Sequence, residues 1–90
     1  MKTITKKIDT EWFEMIIAGK KKYELRLADF EVEDGDTLRL EEWVGTGADR
    51  KPTGRFVEKK IRYVRKVDLK SWVESQPELM DKGFYVLQFD

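Results

Sequence analysis

The chain contains no cysteine and no histidine. Disulfides are therefore excluded, and with them the usual way a small secreted domain compensates for a small core. Thiol nucleophiles, zinc sites of the Cys/His type and imidazole general bases are excluded too. Any catalysis has to draw on Lys, Glu, Asp, Tyr, Ser or Thr. Long apolar runs are also missing. A stretch such as Met15 to Ala18 is far short of the roughly 20 residues a spanning helix needs. The opening Lys2-Thr3-Ile4-Thr5-Lys6-Lys7 is too polar for an export signal, so the expected location is the cytoplasm and no membrane contact is expected. Charge of one sign is not in excess, at 18 basic against 18 acidic residues. Taken alone, that balance argues against a strongly basic nucleic-acid binder.

What is present suits one small domain over residues 1–90. A chain of 90 residues buries only about 60–65% of its unfolded surface, so nearly all its apolar residues must share one core. Three Trp, three Tyr and five Phe supply large rings for it and argue against disorder. The charge is unevenly spread. Asp29 to Glu42 carries seven acidic residues and one basic, whereas Arg55 to Lys66 carries six basic and one acidic. Lys20, Lys21 and Lys22 form a second basic cluster. Such runs are either solvated strand faces or a positive face hidden in a neutral total.

Thr3 to Ile8 is β-branched and partly alternating, which predicts a strand. Asp9-Thr10 offers an N-cap with Glu11 in the first turn. Trp12, Phe13, Ile16 and Ile17 then recur at helical spacing as one apolar face, and Gly19 supplies a stop. The following Lys22 to Leu27 alternates, which predicts a strand with Tyr23, Leu25 and Leu27 inward and Lys22, Glu24 and Arg26 on the opposite face. Glu33 to Asp36 signals a turn, and Thr37 to Leu40 continues as a strand toward Trp43. Val44 to Gly54, with three Gly and Pro52, reads as a mobile loop. Phe56 to Val67 is a long β pattern with a bend or bulge near Arg62–Val64. Asp68 or Ser71 is expected to open a short second helix near Trp72, stopped by Pro77. Phe84 to Phe89 suits a central strand. The pattern predicts an α+β fold, either a small closed or partly closed barrel or an open sheet with helices on one face, and periodicity does not separate the two.

The segment Gly19-Lys20-Lys21-Lys22-Tyr23-Glu24-Leu25-Arg26 resembles the Gly-x-Lys-x-x-Glu-x-Arg signature of ASCH domains, at the same helix-to-strand junction. The element order agrees over nearly the whole chain. The resemblance implies a PUA-like β-barrel of about five or six strands with two short helices. It also implies binding of RNA or action on nucleotides. Some relatives resemble nucleases, and others are amidohydrolases that remove an acyl group from a modified cytidine. In that last group Thr stands at the Glu24 position, so Lys21 carries over and the Thr does not.

The expected role is therefore a monomeric module for single-stranded RNA or a modified nucleoside, bound beside Lys20, Lys21, Lys22, Glu24, Arg26 and Trp43. Lys21 suits a phosphate contact or a base, and Arg26 a phosphate or carboxylate. Glu24 suits acid/base work or acceptance from a base edge. The plain alternatives are a solvated lysine run and a surface ion pair worth about 0–1 kcal/mol. Trp43 is either a stacking ring beside the loop or the last core ring of its strand, and Trp12 is expected in the core. Lys59, Lys60, Arg62, Arg65 and Lys66 could track a phosphate backbone. The alternative activity is a small hydrolase acting on an acylated nucleoside or on RNA, with Lys21 as the base or the activator of a water and Glu24 or Glu74 as its acidic partner. No phosphate loop, dinucleotide motif or metal spacing is present, so no cofactor and no metal are expected.

Overall fold

Ile4 and Ile8 sit four residues apart in β1 (Thr3–Asp9) and both turn inward, as the pleat requires. The computed structural model describes residues 1–67 and 82–90. After β1 come α1 (Thr10–Ile17), β2 (Tyr23–Leu27), β3 (Thr37–Val44), a single 3₁₀ turn (Gly47–Asp49), β4 (Lys51–Val67) and β5 (Phe84–Phe89). The predicted second helix around Ser71 and Trp72, and the candidate Glu74, lie outside the described residues. Among the described residues no helix is long and apolar enough to cross a membrane.

Helix α1 forms where its spacing predicts, but its apolar face is narrower. Phe13 and Ile16 are buried, while Trp12 and Ile17 are exposed. Asp9 occupies the N-cap, yet its side chain makes no cap bond and instead meets Arg50 Nη2 at 2.8 Å. Gly19 ends the helix at φ +74°, where an L side chain is strained, and the Lys20 and Lys21 N–H groups return to the Met15 carbonyl. That closure fixes the direction in which Lys21 and β2 leave.

The five strands form one curved sheet in the order β1-β3-β4-β5-β2. β1 pairs in parallel with β3, and every other ladder is antiparallel. β4, with 17 residues, belongs to both halves and pairs with β3 along its first part and with β5 along its second. Its register shifts between Ile61 and Tyr63, a bulge at Arg62 where the sequence suggests one. The predicted barrel is not closed. β1 and β2 are the two edges and share no ladder.

The expected loop over Val44–Gly54 is also shorter than predicted. Trp43 pairs with Pro52 and Val44 with Lys51, so Lys51–Gly54 is strand. Local turn composition loses there to hairpin pairing. Gly45, at φ +91°, closes the remaining turn: a Cβ on it would lie 2.7 Å from the Asp49 carbonyl oxygen.

The core is Ile4, Ile8, Phe13, Ile16, Leu38, Leu40, Ile61, Leu87 and Phe89. Truncating a leucine such as Leu40 there costs about 2–5 kcal/mol. Two acids from the acidic segment sit beside this core. The Asp36 carboxylate accepts from the N–H groups of Lys2 and Glu33, both at 3.0 Å, which holds its pKa below the usual carboxylate value. Glu42 lies on the same face of β3 as Leu38 and Leu40. Arg55 donates to both its oxygens and Thr53 Oγ1 to one, which lowers its pKa to about 2. Arg55 also reaches Glu14 of α1 at 2.6 Å, so one guanidinium ties the helix to the hairpin.

Candidate functional site

β2 is inverted relative to its hydrophobic pattern. Tyr23 and Leu25 are 50% and 56% exposed, while Glu24 is only 4% exposed. Alternation gives the period of a strand and not the sign of its faces. Here the polar face turns inward because it carries its own partners. Lys21 Nζ meets Glu24 Oε1, and Arg26 Nε donates to Glu24 Oε2 at 2.8 Å. A carboxylate so buried survives only when paired and hydrogen-bonded, and both conditions are met.

Arg26 does more than neutralise Glu24. Its Nη2 donates to the Lys7 carbonyl of β1 at 2.6 Å, across the open edge of the sheet. The seam is a cleft of about 410 Å³ between Lys7, Ile8 and Asp9 of β1 and Tyr23 to Arg26 of β2, with Trp12, Lys21 and Arg50 completing its wall. That volume falls in the range of small-ligand sites. The Lys21 ammonium also stands 5.1 Å from the Tyr23 ring centroid and 5.8 Å from that of Trp12.

Of the predicted residues, Lys21, Glu24 and Arg26 are brought together here. Lys20 and Lys22 are exposed and do not line the cleft. Trp43 is half-buried and lines a neighbouring groove, with Lys7 Nζ 4.0 Å above its ring. The basic run of β4 contributes nothing to the cleft, since Lys59, Lys60, Arg62, Arg65 and Lys66 are absent from its walls. Its positive groups are instead Lys7, Lys21, Arg26 and Arg50. Trp12, expected in the core, is 42% exposed and part of the wall.

Sequence reasoning missed Lys7, Asp9, Trp12 and Arg50. A lone arginine in a Gly-rich turn gives no periodic signal, and only the β3–β4 pairing swings Arg50 toward β1. Among the described residues no three His, Cys, Asp or Glu gather as a metal site would require.

The described residues form an open five-stranded sheet with one helix, a small α+β fold whose seam holds a buried, doubly paired carboxylate between aromatic and basic side chains. The chain belongs to the ASCH domain family, whose match spans residues 7–87, and ASCH domains are PUA-like. It is 43% identical over 68 residues to an uncharacterized 12.9 kDa protein in the GpA 3′ region of Escherichia phage P2, covering 76% of this chain and 57% of that protein. This chain thus spans little more than half the length of its phage relative. The fold is similar to the crystal structure of hypothetical protein PH0355, with a TM-score of 0.69 and 19% identity, covering 100% of this chain and 98% of that one.

Proposed function

We propose that the seam cleft binds single-stranded RNA or a modified nucleoside. The observation that carries this reading is the buried Glu24 carboxylate held by Lys21 and Arg26 between the exposed rings of Trp12 and Tyr23. A carboxylate offers about four acceptor positions, of which Lys21 and Arg26 use one each. The remainder suit an amino donor on a base edge. Trp12 and Tyr23 are stacking surfaces, and such stacking contributes about 1–3 kcal/mol per base. Lys7 and Lys21 supply the positive field for a phosphate.

The test is an amide chemical-shift titration with short single-stranded RNA and with nucleosides at physiological salt. Saturable shifts centred on residues 19–26 are expected. Tyr23→Ala, which removes an exposed ring outside the ion-pair network, should weaken the binding. Shifts scattered over β4 and abolished by salt would sink the proposal.

A second reading, a hydrolase for acylated nucleosides or RNA, is favoured by one observation: Lys21 and Glu24 touch at the wall of a cleft open to water. Incubation with a panel of N-acylated nucleosides followed by chromatography decides it. Absence of turnover, or turnover that survives Lys21→Ala, counts against it.

A further inference from the structure

The cleft does not end at Arg50. A second groove of about 500 Å³ is lined by Trp43 and the turn that follows it, together with Asp9 and Arg50. Asp9 and Arg50 belong to both concavities, so the two meet at this pair. Across the β1–β3 ladder Asp9 lies directly opposite Trp43, which places an aromatic ring in the groove beside the junction. The junction itself is an exposed ion pair, with Arg50 Nη2 2.8 Å from Asp9 Oδ1. An exposed pair of this kind contributes little to folding and exchanges partners readily.

We propose that Arg50 seats the phosphodiester between two successive nucleotides, one base lying in the seam cleft and its neighbour in the groove beside Trp43. This deepens the reading of the same site and rests on it: the ligand is an oligonucleotide and not a lone nucleoside. Three observations support it. Two adjoining concavities, each large enough for a base, share one cation at their junction. Each concavity carries an aromatic side chain, Trp12 and Tyr23 in one and Trp43 in the other. The Asp9 carboxylate is diverted from capping α1 and holds Arg50 in place at the junction. A phosphate then displaces a carboxylate from a guanidinium whose planar fork suits either anion. Asp9 acts as the competitor, and its removal raises affinity where removal of Arg50 lowers it.

The experiment is a calorimetric titration of the full chain with the four ribonucleosides, their 5′- and 3′-monophosphates, and the homodinucleoside monophosphates. It is run on the wild type, Arg50→Gln and Asp9→Asn, with matching circular dichroism melts to establish folding. The expected result is tighter binding of dinucleoside monophosphates than of nucleosides. Arg50→Gln should weaken the dinucleoside monophosphates about tenfold more than the nucleosides, the scale of one charge-assisted contact. Asp9→Asn should strengthen them several-fold. Monophosphates that match the dinucleoside monophosphates would overturn the proposal by showing a terminal-phosphate seat with the groove unused. Equal losses for nucleosides and dinucleoside monophosphates in Arg50→Gln would overturn it while leaving the seam cleft as a nucleoside site. No binding of any probe would remove the proposed function, and this inference with it.

Discussion

Arg26 and Lys7 stand on strands that share no ladder, yet the guanidinium of one donates to the backbone carbonyl of the other at 2.6 Å. The single side chain thus bridges the two edges of the sheet while its Nε holds Glu24. Arg26→Ala should cost about 1–3 kcal/mol, since it removes a charge-assisted bond and strips one partner from a buried carboxylate. Urea denaturation reads the cost. Arg26→Lys should recover only part of it, because an ammonium does not reproduce the fork that spans both partners.

The inversion of β2 gives a contrast that runs against hydropathy. Glu24→Ala leaves Lys21 and Arg26 facing each other without an anion and should destabilise the domain by about 3 kcal/mol. Leu25→Ser, on the exposed face, should change stability by under about 0.5 kcal/mol. Thermal melts of the two variants compare them directly. A larger loss for Leu25→Ser would mean that the apolar face of β2 is the buried one.

Acid should unfold the protein through Glu42. Its pKa is about 2 in the folded chain against 4.5 for an unperturbed glutamate, so below 4.5 the unfolded state binds more protons. The stability it contributes is complete above 4.5 and is lost as pH falls toward about 2. Asp36, also held below the ordinary aspartate value of 3.8, acts in the same direction from that value downward. Denaturant midpoints measured from pH 6 to pH 2 should therefore fall over this window. Arg55→Met should flatten the part owed to Glu42, with Asp36→Asn as the separate control.

The position of the cations makes a prediction about salt and about β4. If the seam cleft takes RNA, affinity should fall with ionic strength, at about 0.7 in log K per log salt for each phosphate neutralised. Charge reversal at Arg62 or Lys66 should leave affinity within about twofold, whereas Lys7→Glu should weaken it by about tenfold. Fluorescence titration of the native tryptophans in two salt concentrations measures both effects.

Much of the element order was readable in the residues. Phe13 and Ile16 announced α1, Gly19 its end, and Phe84 to Phe89 the final strand. The site was readable as a cluster, because Lys21, Glu24 and Arg26 sit close in sequence. What could not be read was orientation. The period of Tyr23, Leu25 and Leu27 predicted a strand, but burial went to Glu24, whose two cationic partners offset the cost of removing it from water. Trp12 was misplaced for a related reason: helical spacing marks a stripe without fixing its width. Lys7, Asp9 and Arg50 reach the cleft only through β1–β3 and β3–β4 pairing, a non-local matter that no local pattern encodes. The open seam is likewise a property of strand order rather than of any strand.

The length of β4 has a consequence for how the cleft can change shape. Because this one strand runs through both halves of the sheet, β1 and β2 are held facing each other through it, and its bulge at Arg62 lies between the part paired with β3 and the part paired with β5. Widening the cleft means parting β1 from β2, so a guest that needs more room has to lengthen or break the Arg26 clasp on Lys7.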